Sequence, residues 1–342
     1  MRPPTRRESL PPMARIIDWG WNAVVAVGDT RHLSTHPDFD TAGRTMSREL
    51  TFERRLSVGD QVDAFELPTP DGAPLLVDPT TAAATVVVFT SSGCPYALAW
   101  HDRVQDLARD YAPRGVRTVQ VFSNDPATQP ADRSDALARR VVAGELAGDV
   151  LVDAGQEQAQ RFGATATPEV FVLDRQGVVR YHGAPDGNFD EPTLRAQWAR
   201  DALDAVLAGR AVERRETSPA GCSVKWRVEL LWWEGCPSHD HAEALLRTAL
   251  GDLGRAEVAV RRVRVSSADE AEARHFPGSP TFQVGGRDLF PTDADAGLGC
   301  RIYARTGGRV GPLPEAEDLQ DRLREVLARP WDLPGWTDFR RR

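Results

Sequence analysis

Two cysteine-proline steps, Cys94-Pro95 and Cys236-Pro237, each follow an apolar run with strand character and open a stretch with helical spacing. A cysteine so placed meets the positive end of the helix dipole and backbone N–H groups that have no partner within the helix, and both favour thiolate over thiol. The chemistry is that of nucleophilic sulfur: attack on a disulfide or peroxide bond, or capture of a soft metal. The competing reading of each is a small buried hydrophobe. Downstream, each step is answered by a second proline step, Thr167-Pro168 or Ser279-Pro280, just before another apolar run. The two remaining cysteines are Cys222 and Cys300. Four cysteines admit three complete pairings, and economy within each half favours Cys94 with Cys222 and Cys236 with Cys300.

His239 stands three residues after Cys236, and residues three apart share a helix face. It is therefore a candidate acid-base partner or an imidazolium that holds the thiolate, the alternative being a solvated polar residue. His241 diverges from that face and no second ligand pair follows, so no zinc site and no cofactor is expected. A soft-metal site from Cys236 and Cys300 is chemically sensible, since the Gly297–Gly299 stretch could bend Cys300 toward Cys236; the alternative is a loop cysteine. Asp186, Asn188 and Asp190 read as a solvated turn, and Trp232 and Trp233 as strand and pocket wall.

At 342 residues the chain predicts two domains, and 41% hydrophobic with 27% charged residues is ordinary for a globular protein. A net charge of -8 leaves no basic field for a phosphate backbone, which argues against nucleic acid as a partner. Four cysteines are too few for a secreted disulfide scaffold and fit a reducing cytoplasm. Arg6-Arg7 is followed by Glu8, Ser9 and two prolines rather than an apolar segment, which argues against a signal sequence. No run approaches the roughly 18 apolar residues that span a bilayer, so no membrane association is expected.

The order of elements is that of an α/β chain. Residues 1–53 are Arg- and Pro-rich around a short apolar piece, Ile16 to Val27, and read as an N-terminal extension, with Met13 and Met46 as alternative starts. A hairpin around Asp71-Gly72 precedes Ala84–Thr90, a β-branched run suited to a central strand buried on both faces. Helix Pro95–Tyr111, strand Val116–Phe122, helix Arg133–Ala143, strand Asp149–Val152 and helix Gln156–Phe162 continue a βαβ rhythm. A hairpin of Val170–Asp174 and Val178–Tyr181 leads to helix Glu191–Leu207 and a polar linker, Ala208–Ala220. The plan then repeats in miniature: strand Arg227–Trp233, helix Ser238–Leu250, strand Glu257–Val265, helix Ala268–His275, strand Thr281–Val284, a short strand to Phe290, and an amphipathic helix Pro314–Leu327.

Residues 54–226 resemble the peroxiredoxin-like proteins of the thioredoxin superfamily, in the alkyl hydroperoxide reductase and thiol-specific antioxidant group. The resemblance rests on Phe89-Thr-Ser-Ser-Gly-Cys-Pro-Tyr96, Ala166-Thr-Pro-Glu-Val-Phe-Val-Leu-Asp174, Tyr181-His-Gly183 and Gly221-Cys-Ser-Val-Lys-Trp226. Where members of that group carry Cys-Asn-His-Cys-Pro-Tyr, the second cysteine maps onto Cys94 and the first onto Ser91, so the local dithiol is lost and Cys222 becomes the candidate resolving thiol. Ser91 is then expected to hydrogen-bond the thiolate. Val87 stands where a peroxidatic proline would fall, which argues against a dedicated peroxidase. Residues 227–328 resemble the small thioredoxin-like DF family (seleno)proteins through Glu229-Leu-Leu-Trp-Trp-Glu-Gly-Cys-Pro237, Phe276-Pro-Gly-Ser-Pro-Thr281, Gly286-Arg-Asp-Leu-Phe290 and Cys300-Arg-Ile-Tyr303. A redox or soft-metal role for Cys236 is what that resemblance implies.

Together these imply two tandem thioredoxin-like domains, 54–226 and 227–328, each a central mixed β-sheet flanked by helices, with a tail at 329–342. In this fold Pro168 and Pro280 match a proline, usually cis, whose neighbouring backbone pairs with an extended substrate. The expected function is thiol-disulfide exchange or peroxide reduction, with Cys94 as nucleophile, Cys222 resolving, Cys236 and Cys300 in the second domain, and an external thiol as reductant. The alternative is a non-enzymatic protein that binds or senses a soft metal or docks a peptide beside its prolines.

Overall fold

The computed structural model of the protein describes residues 56–327; the expectations for 1–53 and 329–342, including Met13, Met46 and the apolar piece at 16–27, lie outside them. The first sheet follows an antiparallel hairpin of β1 (Phe65–Pro68) and β2 (Pro74–Val77). Its strands are β3 (Ala84–Thr90), β4 (Val116–Phe122), β5 (Asp149–Val152), β7 (Glu169–Asp174) and β8 (Val179–Gly183), with β6 (Ala166–Thr167) just ahead of β7. The order is β5-β4-β3-β7-β8, with β3, β4 and β5 parallel and β7 and β8 antiparallel to their neighbours.

The unbroken β-branched run of β3 is buried from Ala84 to Phe89 because both faces are covered. Val86 and Val88 meet Trp100, Leu107 and Leu203, while Val87 and Phe89 meet Phe162 and Phe171. Helices α2 (His101–Tyr111) and α5 (Gln197–Leu207) cover one face and α4 (Glu157–Phe162) the other, while α1 (Pro95–Ala99) leads into α2 and α3 (Ser134–Val142) packs through Leu137 against Phe122 and Val150.

After β9 (Cys222–Ser223) comes a four-stranded sheet of β10 (Val228–Trp232), β11 (Val260–Arg264), β12 (Thr281–Val284) and β13 (Arg287–Asp288), ordered β11-β10-β12-β13. Strand β10 is parallel to β11 and antiparallel to β12, and α6 (His239–Asp252), α7 (Ala268–Ala273) and α8 (Ala316–Val326) flank the sheet. A separate hairpin joins β14 (Tyr303–Arg305) to β15 (Arg309–Gly311). Each main sheet is thus mixed, with a central strand parallel to one neighbour and antiparallel to the other, the thioredoxin-like arrangement expected. Trp226 packs against the cores of both sheets. Hydrogen bonds from Gln160 Nε2 to Val284 O (2.9 Å) and from Arg227 N to Gln156 Oε1 (2.8 Å) tie them further.

Three sequence expectations are corrected. Helix Pro95–Tyr111 is two helices that meet at Trp100, whose fully buried indole donates to Asp186 Oδ1 at 2.7 Å. Asp186 is fully buried rather than part of a solvated turn: Arg103 meets both its oxygens at 3.0 Å, and Ala196 N donates to Oδ2 at 2.9 Å. Arg103 also donates to the carbonyls of Asn188, Phe189 and Glu191, so the chain wraps this ion pair and α5 starts only at Gln197. Finally, Ala208–Ala220 is no free linker. It carries buried Val212 and Ala220 and runs beside β8, with His182 N donating to Arg215 O (3.1 Å) and Thr217 N to His182 O (3.0 Å).

Replacing Arg103 with Ala strands the Asp186 carboxylate in a site where it is almost wholly enclosed. The expected loss is about 3–5 kcal/mol of unfolding free energy, read from denaturant unfolding of the full chain.

Candidate active site

Cys94 ends the loop after β3 and caps α1. Its backbone is extended, Pro95 takes the first helical turn where a missing N–H costs nothing, and Ala97 N points at Sγ at 3.5 Å. The loop is held by Asp132, which accepts from Ser92 N (2.6 Å) and Asn124 Nδ2 (2.8 Å), and by Arg140, which donates to Ser92 Oγ (2.7 Å). Burial pushes the Asp132 carboxyl up, against the hydrogen bonds it accepts. Ser91 is buried, but its hydroxyl accepts from Gly93 N (3.2 Å) and also bonds Asp132. Its observed partners are thus Gly93 and Asp132, where the resemblance implied a bond to the thiolate.

The second sulfur arrives from far along the chain. Strand β9 pairs antiparallel with β6, in the register Thr167 with Cys222 and Ala166 with Ser223. Thr167 O accepts from Cys94 Sγ at 2.9 Å, so Thr167 touches both cysteines. The approach is close enough to require glycine: a Cβ at Gly221 would fall 2.1 Å from Thr167 O. Cys94 is 1% exposed and Cys222 half-buried, and neither is in a disulfide. The Cys222 thiol, hydrogen-bonded to Cys94, outweighs the opposing effect of burial; with help from the Thr167 side chain and Ala97 N–H it holds the Cys94 thiol down at about 6.

Behind this contact lies a buried carboxylate that sequence reasoning did not single out. Glu169, fully enclosed, accepts from Thr165 N (2.7 Å) and Ala166 N (2.9 Å) and pairs with His182 Nε2 from the adjacent strand. Burial lowers the His182 pKa, but hydrogen bonds to Glu169 and Glu216 prevail and hold it at about 9. Both residues lay in the motifs that carried the resemblance; their signal was a carboxylate directly after the Thr-Pro step and a histidine in the next strand.

The peptide bonds before Pro168 and Pro280 are both cis. In the second sheet Cys236 is buried, Cys300 is exposed, and Cys300 bridges in parallel register to Ser279, the residue before Pro280. His239 Nδ1 donates to Cys236 O at 2.6 Å, its ring stacks on Trp232 with centroids 4.4 Å apart, and Nε2 lies 3.3 Å from Asp240. The imidazole therefore engages the backbone of Cys236, where sequence spacing suggested the sulfur. Among the described residues, no group of three or more His, Cys, Asp or Glu side chains is placed to hold a metal ion, and no helix is long and apolar enough to cross a membrane.

Two outcomes follow. Alkylation of Cys94 in the reduced protein rises with a midpoint near pH 6, and Cys222→Ala moves that midpoint up, as followed by peptide mass spectrometry across pH. The second concerns stability. His182, raised from 6.5 to about 9, contributes stability that is fully present below pH 6.5 and lost as pH rises through 9. Cys94, lowered from 9.0 to about 6, contributes stability that is present above pH 9 and lost as pH falls through 6. The two oppose each other between these values, so Cys94→Ala should lose stability from pH 6.5 to 9 more steeply than the parent in chemical denaturation. Equal slopes would mean that Cys94 is not depressed.

Residues 57–197 match the Redoxin family model. A hypothetical protein, SMc02350, from Sinorhizobium meliloti is 29% identical over 50% of this chain and 94% of that one, with a TM-score of 0.46. An uncharacterized conserved protein from Geobacillus kaustophilus is 31% identical over 51% and 94%, also at 0.46. Peroxidoxin BcpB from Mycobacterium tuberculosis is 21% identical over 45% and 96%, at 0.32. No curated protein matches the chain. The Redoxin match spans residues 57–197, less than half of the chain, and supports a redox protein of the oxidoreductase class.

Proposed function

We propose that the protein reduces a disulfide or hydroperoxide at Cys94 and resolves the product with Cys222. The observation that carries this reading is the hydrogen-bonded contact of two reduced thiols, one of them held down at about 6, where the nucleophilic thiolate is accessible at neutral pH. With a disulfide, the Cys94 thiolate forms a mixed disulfide and releases one thiolate. Cys222, losing its proton, then attacks the Cys94 sulfur and expels the second. With a hydroperoxide, Cys94 takes the terminal oxygen as a sulfenic acid, the alcohol or water leaves, and condensation with the Cys222 thiol releases water. An external thiol returns the Cys94–Cys222 disulfide to two thiols, as a reducing cytoplasm would supply. Cys236 and Cys300 are proposed as a second couple: a bridge sets Cys300 opposite Ser279, the residue before cis-Pro280, as β9 sets Cys222 opposite Thr167, although the strand sense is parallel in one and antiparallel in the other.

The test is peptide mass spectrometry of the reduced protein after one equivalent of hydrogen peroxide, quenched over seconds to minutes. A Cys94–Cys222 bridge is expected, and Cys222→Ser should instead accumulate sulfenate at Cys94. If all four cysteines stay thiols while Hg2+ shields them from alkylation, a soft-metal binding protein replaces the oxidoreductase.

A further inference from the structure

An extended polypeptide reaches a buried thiol most readily by adding a strand to the backbone next to it, because the main-chain hydrogen bonds supply affinity while side chains are left to specify. Beside Cys94 that backbone is Thr165–Thr167, whose last carbonyl lies 2.9 Å from Sγ. Its hydrogen-bonding groups are already in use. Thr165 N and Ala166 N go to Glu169, Thr165 O accepts from Val224 N at 3.1 Å, and Ala166 and Thr167 are laddered to Ser223 and Cys222. The chain's own segment 221–224 lies where a substrate strand would lie, with Cys222 standing opposite Thr167.

This segment is held at both ends. Upstream, Ala220 is buried in the core that covers β3. Downstream, Lys225 N donates to Asn124 Oδ1 (2.8 Å), Lys225 O accepts from Asp125 N (2.8 Å) and Gln156 Nε2 (2.9 Å), and Trp226 is packed against two cores. Displacing it would break these bonds as well as the ladder. The second sheet shows the same occupancy independently: Ser279 N donates to Gly299 O (2.8 Å) and Ser279 O accepts from Arg301 N (2.9 Å), so the backbone before Pro280 is also taken by the chain itself. In both sheets the backbone before the proline, where an extended partner was expected to pair, is paired with the chain's own segment.

We infer that the Cys94–Cys222 site takes low-molecular-weight oxidants and excludes extended polypeptide disulfides, because strand β9 fills the backbone edge on which a polypeptide would align. The inference rests on the redox reading above and narrows its substrate class. Cys94 is 1% exposed and Cys222 half-buried, so an oxidant must bring its sulfur or oxygen to Cys94 without help from backbone pairing. Each reaction is the exchange already written: two protein thiols become one disulfide, and one small disulfide or hydroperoxide is reduced to two thiols or to alcohol and water.

The experiment mixes the reduced full-length protein with bis(2-hydroxyethyl) disulfide and, separately, with the disulfide-linked dimer of an unstructured polar peptide of about ten residues, long enough to add a strand. Formation of the Cys94–Cys222 bridge is timed by acid quench and mass spectrometry, each rate being divided by that disulfide's rate with a free small thiol. The peptide dimer is expected to be slower by about tenfold or more, equivalent to about 1.4 kcal/mol in the barrier. Gln156→Ala, which removes one hold on segment 225–227, should raise the peptide rate; if that variant fails to fold, the comparison on the parent protein still decides. A peptide rate equal to or above the small-disulfide rate overturns the inference and leaves the redox reading standing. No bridge with either disulfide or with hydrogen peroxide overturns the redox reading itself.

Discussion

The two-residue ladder between Ala166–Thr167 and Cys222–Ser223 is the contact on which the site depends. It brings together sulfurs separated by more than a hundred residues of sequence, and it places a carbonyl and a second thiol against the buried Cys94. A thiol in so enclosed a place would ordinarily be held protonated by burial. Here the hydrogen bonds from Cys222, Thr167 and Ala97 outweigh that cost and hold the Cys94 thiol down at about 6.

So short a ladder cannot hold itself, and the surrounding structure shows what does. On one side Glu169 clamps the amides of Thr165 and Ala166 and is itself neutralised by His182 from the next strand. On the other, Asn124, Asp125 and Gln156 fasten Lys225 and Trp226. Buried ion pairs of this kind contribute little net stability against an apolar replacement, yet breaking one leaves an uncompensated charge. Their value here is positional. Arg103 and Asp186 act similarly farther out, gathering the 186–196 turn against Trp100 where α1 gives way to α2.

The second sheet carries the same elements with a different outcome. A buried cysteine precedes its first helix and an exposed cysteine is registered to the residue before its cis-proline, but His239 is spent on the Cys236 carbonyl and on stacking with Trp232. Side-chain networks around the two sulfurs therefore distinguish the halves more than their folds do. A shared fold can carry unequal chemistry when the groups around the reacting atoms differ.

Much of this architecture was legible in the chain. The β-branched run 84–90, the helical spacing after each Cys-Pro step and the amphipathic 314–327 stretch appear as elements close to where the pattern puts them, because burial on one face or two writes its period into the residue order. Cys94 and the two prolines stood out for the same local reason, since a helix start and a strand start have recognisable neighbours. What the chain did not disclose depends on long-range register. No local rule says that 208–220 will lie along β8, that Asp186 will be sealed under Arg103, or that Glu169 will hold the loop beside Cys94. Nor does it say that β9 will occupy the edge beside Cys94. Residue types and spacing put a cysteine at a helix start and favoured Cys222 among three possible pairings; only the tertiary structure set the two against each other, because that contact is made by backbone pairing between segments that share no sequence neighbourhood.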